Sequence, residues 1–195
     1  MKIDNKLIKE LREKTGAGIV DVKKALEETK GDAKKAIEAL RKKGEEIAAK
    51  KQTREISQGM IACYVHNDNK SASLVELNCE TDFVAKNKEF KELGKNLAMQ
   101  VVAMDPQYLS PENVPDEVLD KEKEIIKEQL EKENKPAEII DKIVKGKINK
   151  FYEEVCLLKQ SYIKEDKKKI EDLITEKIAK LGENIKVSRF VKYSL

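Results

Sequence analysis

The sequence has no tryptophan, one histidine, three cysteines and four prolines among 195 residues, and aromatic side chains make up only 5% of it. It also has no long apolar run. Nowhere do hydrophobic residues approach the ~20 consecutive positions that cross a bilayer. Residues 1–11 alternate charge with Ile and Leu instead of forming the apolar stretch of a secretion signal. Neither a membrane-spanning nor a secreted protein is expected. Cys63, Cys79 and Cys156 are odd in number and far apart, which does not suit a disulfide framework and does suit a reducing compartment, the cytoplasm by default. Each is expected as a small buried hydrophobe.

These shortages also restrict chemistry. With His66 as the one histidine, a nucleophilic Cys–His or Ser–His pair could be built at one place only. A Cys3His zinc set from Cys63, His66, Cys79 and Cys156 has the right ligand count, but Cys63 and His66 stand three apart in a strand pattern and so point to opposite faces. No glycine-rich loop opens a helix after a strand, since Gly16-Ala17-Gly18 lies between two helical patterns and reads as a tight turn. Acidic pairs such as Glu27-Glu28 sit on solvated helical faces with nothing apolar to raise a pKa. No catalytic residue, cofactor or metal ion is expected.

Charge, by contrast, is abundant: 40 Lys and Arg against 37 Asp and Glu, 39% of the chain, leaving a net +3. The sum hides an asymmetry. Residues 1–54 carry 16 basic and 10 acidic groups, whereas residues 105–135 carry 5 basic and 10 acidic. A basic head raises the alternative of an RNA- or ribosome-associated module. Interleaving with acids at helical spacing, as in Lys23-Lys24-Ala25-Leu26-Glu27-Glu28, favours a solvated helical face whose lysine stems cover apolar surface.

Periodicity predicts an α+β fold. Leu7, Ile8 and Leu11 give one helical stripe, with Asp4 or Asn5 to cap it. Ile19, Val22 and Leu26 give a second that stops at Lys30-Gly31. Asp32 starts a third through Ala33, Ala36, Ile37 and Leu40, ending at Gly44. Such short helices bury their faces only against one another, as a three-helix bundle. Residues 45–55 read as a helical tail or linker. The period then changes from 3.6 to 2: Met60 to Val65 and Ser73 to Cys79, joined by Asn67-Asp68-Asn69-Lys70, predict a β-hairpin. A helical pattern follows through Phe90, Leu93, Leu97 and Val101, then an extended loop over Pro106, Pro111 and Pro115. Asp116 is expected to cap the next helix, and Pro136 to fit the first turn of the one after. A last helix ends at Gly182, and Ile185, Val187 and Val191 predict a closing strand that pairs with the hairpin. The division expected is residues 1–54, the bundle and linker, and residues 55–195, a small antiparallel sheet packed with helices.

At the junction of the second strand with the following helix, Thr81 can cap, leaving Asp82 in the first turn and projecting Phe83 from an element end. Local pattern favours Phe83 tucked under the sheet, with Asp82 serving the helix dipole. The other reading makes Asp82 and Phe83 an exposed acidic and apolar probe, suited to anchoring an interface.

Residues 11–18 (LREKTGAG), 21–26 (DVKKAL), 31–32 (GD), 40–44 (LRKKG) and 48–51 (AAKK) closely resemble the N-terminal region of the elongation factor Ts family, similar to a ubiquitin-associated domain. Residues 76–87 (ELNCETDFVAKN) resemble its central motif, and residues 182–185 (GENI) with Arg189-Phe190 its C-terminal end. The resemblance covers essentially the whole chain, and the length is similar to short bacterial members that lack a coiled-coil insertion and a C-terminal module. It implies a guanine-nucleotide exchange factor for elongation factor Tu, binding its GDP and nucleotide-free forms. Thr81, Asp82, Phe83 and Val84 would dislodge the Mg²⁺ that ties GDP to that partner. Arg12, Val20 and Lys23 match positions on the contact face of the bundle. Gln100 stands where many members carry His, a departure from the family pattern that removes any partner contact made by that imidazole. Short members can pair, and without a thiol near Val191 a homodimer here would be non-covalent, through the terminal strand. No direct nucleic-acid or membrane contact is implied.

Overall fold

The computed structural model describes residues 4–133 and 136–195. Asp4 lies in an extended conformation and caps α1 (Asn5–Thr15), its carboxylate accepting from the Lys6 N–H at 2.9 Å. Gly16 closes that helix with φ 68°, and α2 (Ile19–Glu28) follows. Asp32 caps α3 (Ala33–Lys51) through the Lys34 and Lys35 N–H groups. Ile8, Leu11, Val22, Ala25, Leu26, Ala36 and Leu40 are the buried stripe of these helices and form one apolar cluster. An ion pair of 2.6 Å from Lys43 to Asp21 ties α3 to α2.

The expected stop at Gly44 is not observed. α3 runs through it and takes up most of the expected linker. Gly44 serves packing instead: a Cβ there would meet the Ala179 Cβ at 3.6 Å, which shows how closely α3 approaches α8 (Ile170–Leu181). Ala48, on the same helix, joins the larger core.

That larger core lies under a three-stranded antiparallel sheet in the order β1 (Gln58–Val65), β2 (Ser71–Cys79), β5 (Ile185–Ser194). The β1–β2 hairpin turns at Asn69, φ 57°, and the closing strand pairs with β2 as expected, with one register shift between Glu76 and Leu77. α5 (Lys88–Met104) crosses the inner face, burying Phe90, Leu93, Leu97, Ala98 and Val101 against Ala62, Val75, Leu77 and Val187. Gly94 permits the approach, since a Cβ there would lie 3.0 Å from the Ala62 Cβ. The Ser73 Oγ donates to the Ala98 carbonyl at 2.7 Å and fastens β2 to α5.

α6 (Asp116–Lys132) and α7 (Ala137–Val155) pack on each other with a separate cluster of Ile126, Leu130, Val144 and Ile148. Both helices expected after the proline-containing loop are therefore present, and they pack as a pair. Pro115 and Pro136 stand at the cap positions of these helices. Asp116 is in the first turn and is not the cap, and Pro136 precedes the first turn. A small second sheet, β3 (Ser161–Tyr162) with β4 (Glu165–Lys169), was not expected. Its first strand has only two residues and its second is wholly charged, so neither gives an alternating apolar pattern.

Candidate functional site

The hairpin and the capping rule bring the chain to the site. β2 ends at Cys79, Thr81 is extended with φ −126°, and α4 (Asp82–Lys86) begins. The Thr81 Oγ1 accepts from the Val84 N–H at 3.4 Å, a cap across one turn. Its proton points elsewhere: Oγ1 donates to Glu183 Oε1 at 2.6 Å, and the Thr81 N–H donates to Glu183 Oε2 at 3.0 Å. The Thr81 carbonyl accepts from the Cys79 Sγ at 3.2 Å and the Ala85 N–H at 3.1 Å. Burial pushes the Cys79 thiol up to about 11, and the Glu183 carboxylate adds to the shift, so this sulfur is a donor and not a thiolate at neutral pH.

On α4, Val84 and Ala85 lean on the main core. Phe83 does not. It is 82% exposed, which corrects the expectation from local pattern that it tucks under the sheet. The reason is the cap: with Thr81 extended and Val84 turned inward, Phe83 at the preceding helical position faces solvent. Asp82 sits beside it, its carboxylate 2.6 Å from the Lys86 Nζ one turn on. The hydrogen bond from Lys86, with desolvation opposing it and the Lys86 charge and the Phe83 amide at the helix start adding to it, holds the Asp82 carboxyl below its ordinary range. The arrangement presents a fixed negative charge and an apolar ring side by side.

Arg12 is exposed on α1, and Val20 and Lys23 are exposed on α2, Val20 at 76%. They belong to the bundle, whose apolar cluster is separate from the one under α4. Gln100 is fully buried. Its Nε2 donates to Gln160 Oε1 and the Ser161 carbonyl, and its Oε1 accepts from the Ile163 N–H at 2.9 Å. The position is a structural node, and its side chain is not available to a partner.

Cys63 departs from expectation. It is exposed on the outer sheet face, opposite Leu74, while Cys79 and Cys156 are buried. Around Cys63 lie the exposed side chains of Ile61, Val65, Leu74, Val191 and Tyr193. Among the described residues, no three His, Cys, Asp or Glu side chains gather as a metal-holding set, and no helix is long and apolar enough to cross a membrane.

The sequence reading missed the acidic and amide groups that support the junction. Glu80 Oε1 accepts from the Asn184 N–H at 2.7 Å, which together with the Arg54 guanidinium holds the Glu80 carboxyl below its usual range against the effect of burial. The Asn184 Nδ2 donates to the Arg54 carbonyl at 2.9 Å. The sole signal was the Gly182–Ile185 motif itself, since nothing in local periodicity says which distant residue a carboxylate will meet.

Comparison with known proteins agrees in extent with the resemblance. The family profile described as Elongation factor TS matches residues 2–195. Elongation factor Ts of Thermosipho melanesiensis is 57% identical over 193 residues, 99% of this chain and 98% of that one. Elongation factor Ts of Thermodesulfovibrio yellowstonii is 56% identical over 195 residues, and that of Thermotoga maritima 56% over 195, each covering 100% of this chain and 97% of the relative.

Proposed function

This chain belongs to the elongation factor Ts family, and on that premise we propose that it acts in the cytoplasm as the guanine-nucleotide exchange factor of elongation factor Tu. Membership places it among translation elongation factors. The finer reading is that it binds the GDP complex, displaces Mg²⁺ and promotes GDP release so that GTP can enter, with no bond made or broken by its own residues. One observation carries this reading: Phe83 is held in solvent beside ionised Asp82 on a capped helical turn, where burial would be the normal fate of such a ring.

The energetics require more than the ring. GDP is held by Mg²⁺ and by backbone N–H groups around its phosphates, so distorting that cradle releases it. A protein that binds the distorted, nucleotide-free state more tightly lowers GDP affinity by the same factor that GDP lowers its own. A ~10⁴-fold shift in state ratio takes about 5.5 kcal/mol of differential affinity. Burying one Phe contributes about 1.5–3 kcal/mol. Thr81 to Val84 therefore act with a second grip. Arg12, Val20 and Lys23 on the bundle supply it, so residues 1–54 and 55–195 work as two arms of a clamp.

The outer sheet face, with Ile61, Val65, Leu74, Val191 and Tyr193 in the open, favours a non-covalent homodimer through β5. Sedimentation of wild type and Val191→Lys tests that point, and a wild-type monomer at all concentrations would remove it. The main test follows fluorescent GDP leaving elongation factor Tu, with and without this protein and its Asp82→Ala and Phe83→Ala variants. Acceleration by wild type and its loss in the variants is expected. No acceleration by wild type would end the exchange reading, and full activity of both variants would end the role of this pair.

A further inference from the structure

We infer that Glu183 is a positioning residue for the exchange site, one that fixes the direction in which Asp82 and Phe83 point by holding Thr81. The inference rests on the exchange reading for its consequence, and on geometry for its substance. α4 has five residues and none of them is fully buried. Val84 and Ala85 rest on the core from one side only, so the cap has to fix how this short turn is rotated on that contact. The cap is set by Glu183. Both carboxylate oxygens are occupied by Thr81, one taking the hydroxyl proton at 2.6 Å and the other the backbone N–H at 3.0 Å. Because the hydroxyl has given its proton to Glu183, its lone pairs are left for the Val84 N–H. An acceptor lost at position 183 frees the hydroxyl to rotate, and the cap and the direction of the next two side chains go with it.

Glu183 is itself held firmly. Gly182 closes α8 in the left-handed region, φ 77°, and turns the chain back toward β2. Ile185, two residues on, is buried and pairs with buried Cys79 at the end of β2. Asn184 binds the Glu80 carboxylate on one side and the Arg54 carbonyl on the other. The carboxylate is thus presented to Thr81 from a segment anchored at both ends, as required of a group that orients another.

Two measurements on Glu183→Ala test this. In the isolated protein, hydrogen exchange at the Thr81 and Val84 amides should accelerate about tenfold, the scale of one lost charge-assisted hydrogen bond, while amides of β2 and α5 keep their rates. In the GDP-release assay the maximal stimulated rate should fall about tenfold. The half-saturating concentration should move by less than about twofold, because the grip of the bundle is intact. Added to the double variant Asp82→Ala/Phe83→Ala, the change should cost nothing further, since a residue acting through that pair has nothing left to orient. Thr81→Val keeps the side-chain shape and the N–H bond to Glu183 but removes the hydroxyl that links Glu183 to the cap. It should therefore accelerate exchange at Val84 and lower the maximal stimulated rate in the same way while leaving the Thr81 amide protected, which covers the case of a Glu183→Ala protein that does not fold. Unchanged exchange at Thr81 in Glu183→Ala, or a loss that multiplies with that of the Asp82→Ala/Phe83→Ala double variant, overturns the proposal. If wild type fails to accelerate GDP release, the exchange reading falls, and the amide measurement alone decides whether Glu183 orients this turn.

Discussion

Truncating Phe83 should separate stability from function. Fully burying a Phe is worth about 1.5–3 kcal/mol, but this ring is 82% exposed in the free protein. Less than a fifth of that value is at stake on folding, about 0.5 kcal/mol at most. For a chain of this size 1 kcal/mol moves the unfolding midpoint by about 2–4 °C, so Phe83→Ala should shift Tm by no more than about 2 °C. Seven residues on, Phe90 is 0% exposed between sheet and helix, and Phe90→Ala should cost about 3–5 kcal/mol, at least about 6 °C. Function should rank the pair the other way. A wedge that loses its buried ring in the complex loses about 1.5–3 kcal/mol, which is about ten- to hundredfold in the stimulated GDP-release rate. Thermal unfolding by circular dichroism and stopped-flow release of fluorescent GDP read the two quantities. A Tm loss for Phe83→Ala as large as that of Phe90→Ala would refute the placement of the ring, and an unaltered release rate would refute its use.

Other expectations concern the scaffold. Gly44→Ala should stabilise by about 0.5–1 kcal/mol, because it removes a helix-interior glycine and its Cβ meets the Ala179 Cβ at an ordinary 3.6 Å. Gly94→Ala should destabilise by about 1–3 kcal/mol, since Ala62 at 3.0 Å is strand-bound and cannot yield; urea unfolding distinguishes the signs. Gln100→Leu should cost about 2–4 kcal/mol in the same assay by stranding the Ile163 N–H and the Gln160 and Ser161 oxygens. Glu80 has a folded pKa below its unfolded value, chiefly from the Asn184 N–H, so its contribution is present above about pH 4.3 and is lost as pH falls through the folded value. Unfolding midpoints of Glu80→Gln should therefore depend less on pH between about 5 and 3 than those of wild type, and an unchanged slope would count against the Asn184 bond.

Elements whose signals are local were legible in the sequence. Asp4, Asp32 and Thr81 cap by contacts within three residues, and Gly182 ends α8 by its own backbone. The hairpin followed from alternation and its turn residues. What failed were judgements that depend on a distant neighbour. Gly44 looks like a terminator until Ala179 arrives opposite it. Cys63 looks like a core residue until strand register turns it outward with Leu74. Phe83 behaves likewise, since an apolar ring in a short helix gives no sign of which side its cap will leave open. The support at Glu183 was hidden most completely, because it is a single charged residue whose partner lies 102 positions away.

That separation has a kinetic consequence. The bundle and the β1–β2 hairpin close small loops, whereas the bond from Thr81 to Glu183 forms only after α4 to α8 have been gathered between β2 and β5. Long-range closures come slowly in folding compared with local ones, although the entropy they remove grows only with the logarithm of loop length. The direction of Phe83 should thus be set late in folding. Helical signal on refolding should return ahead of any acceleration of GDP release, and simultaneous recovery would count against a late-set turn.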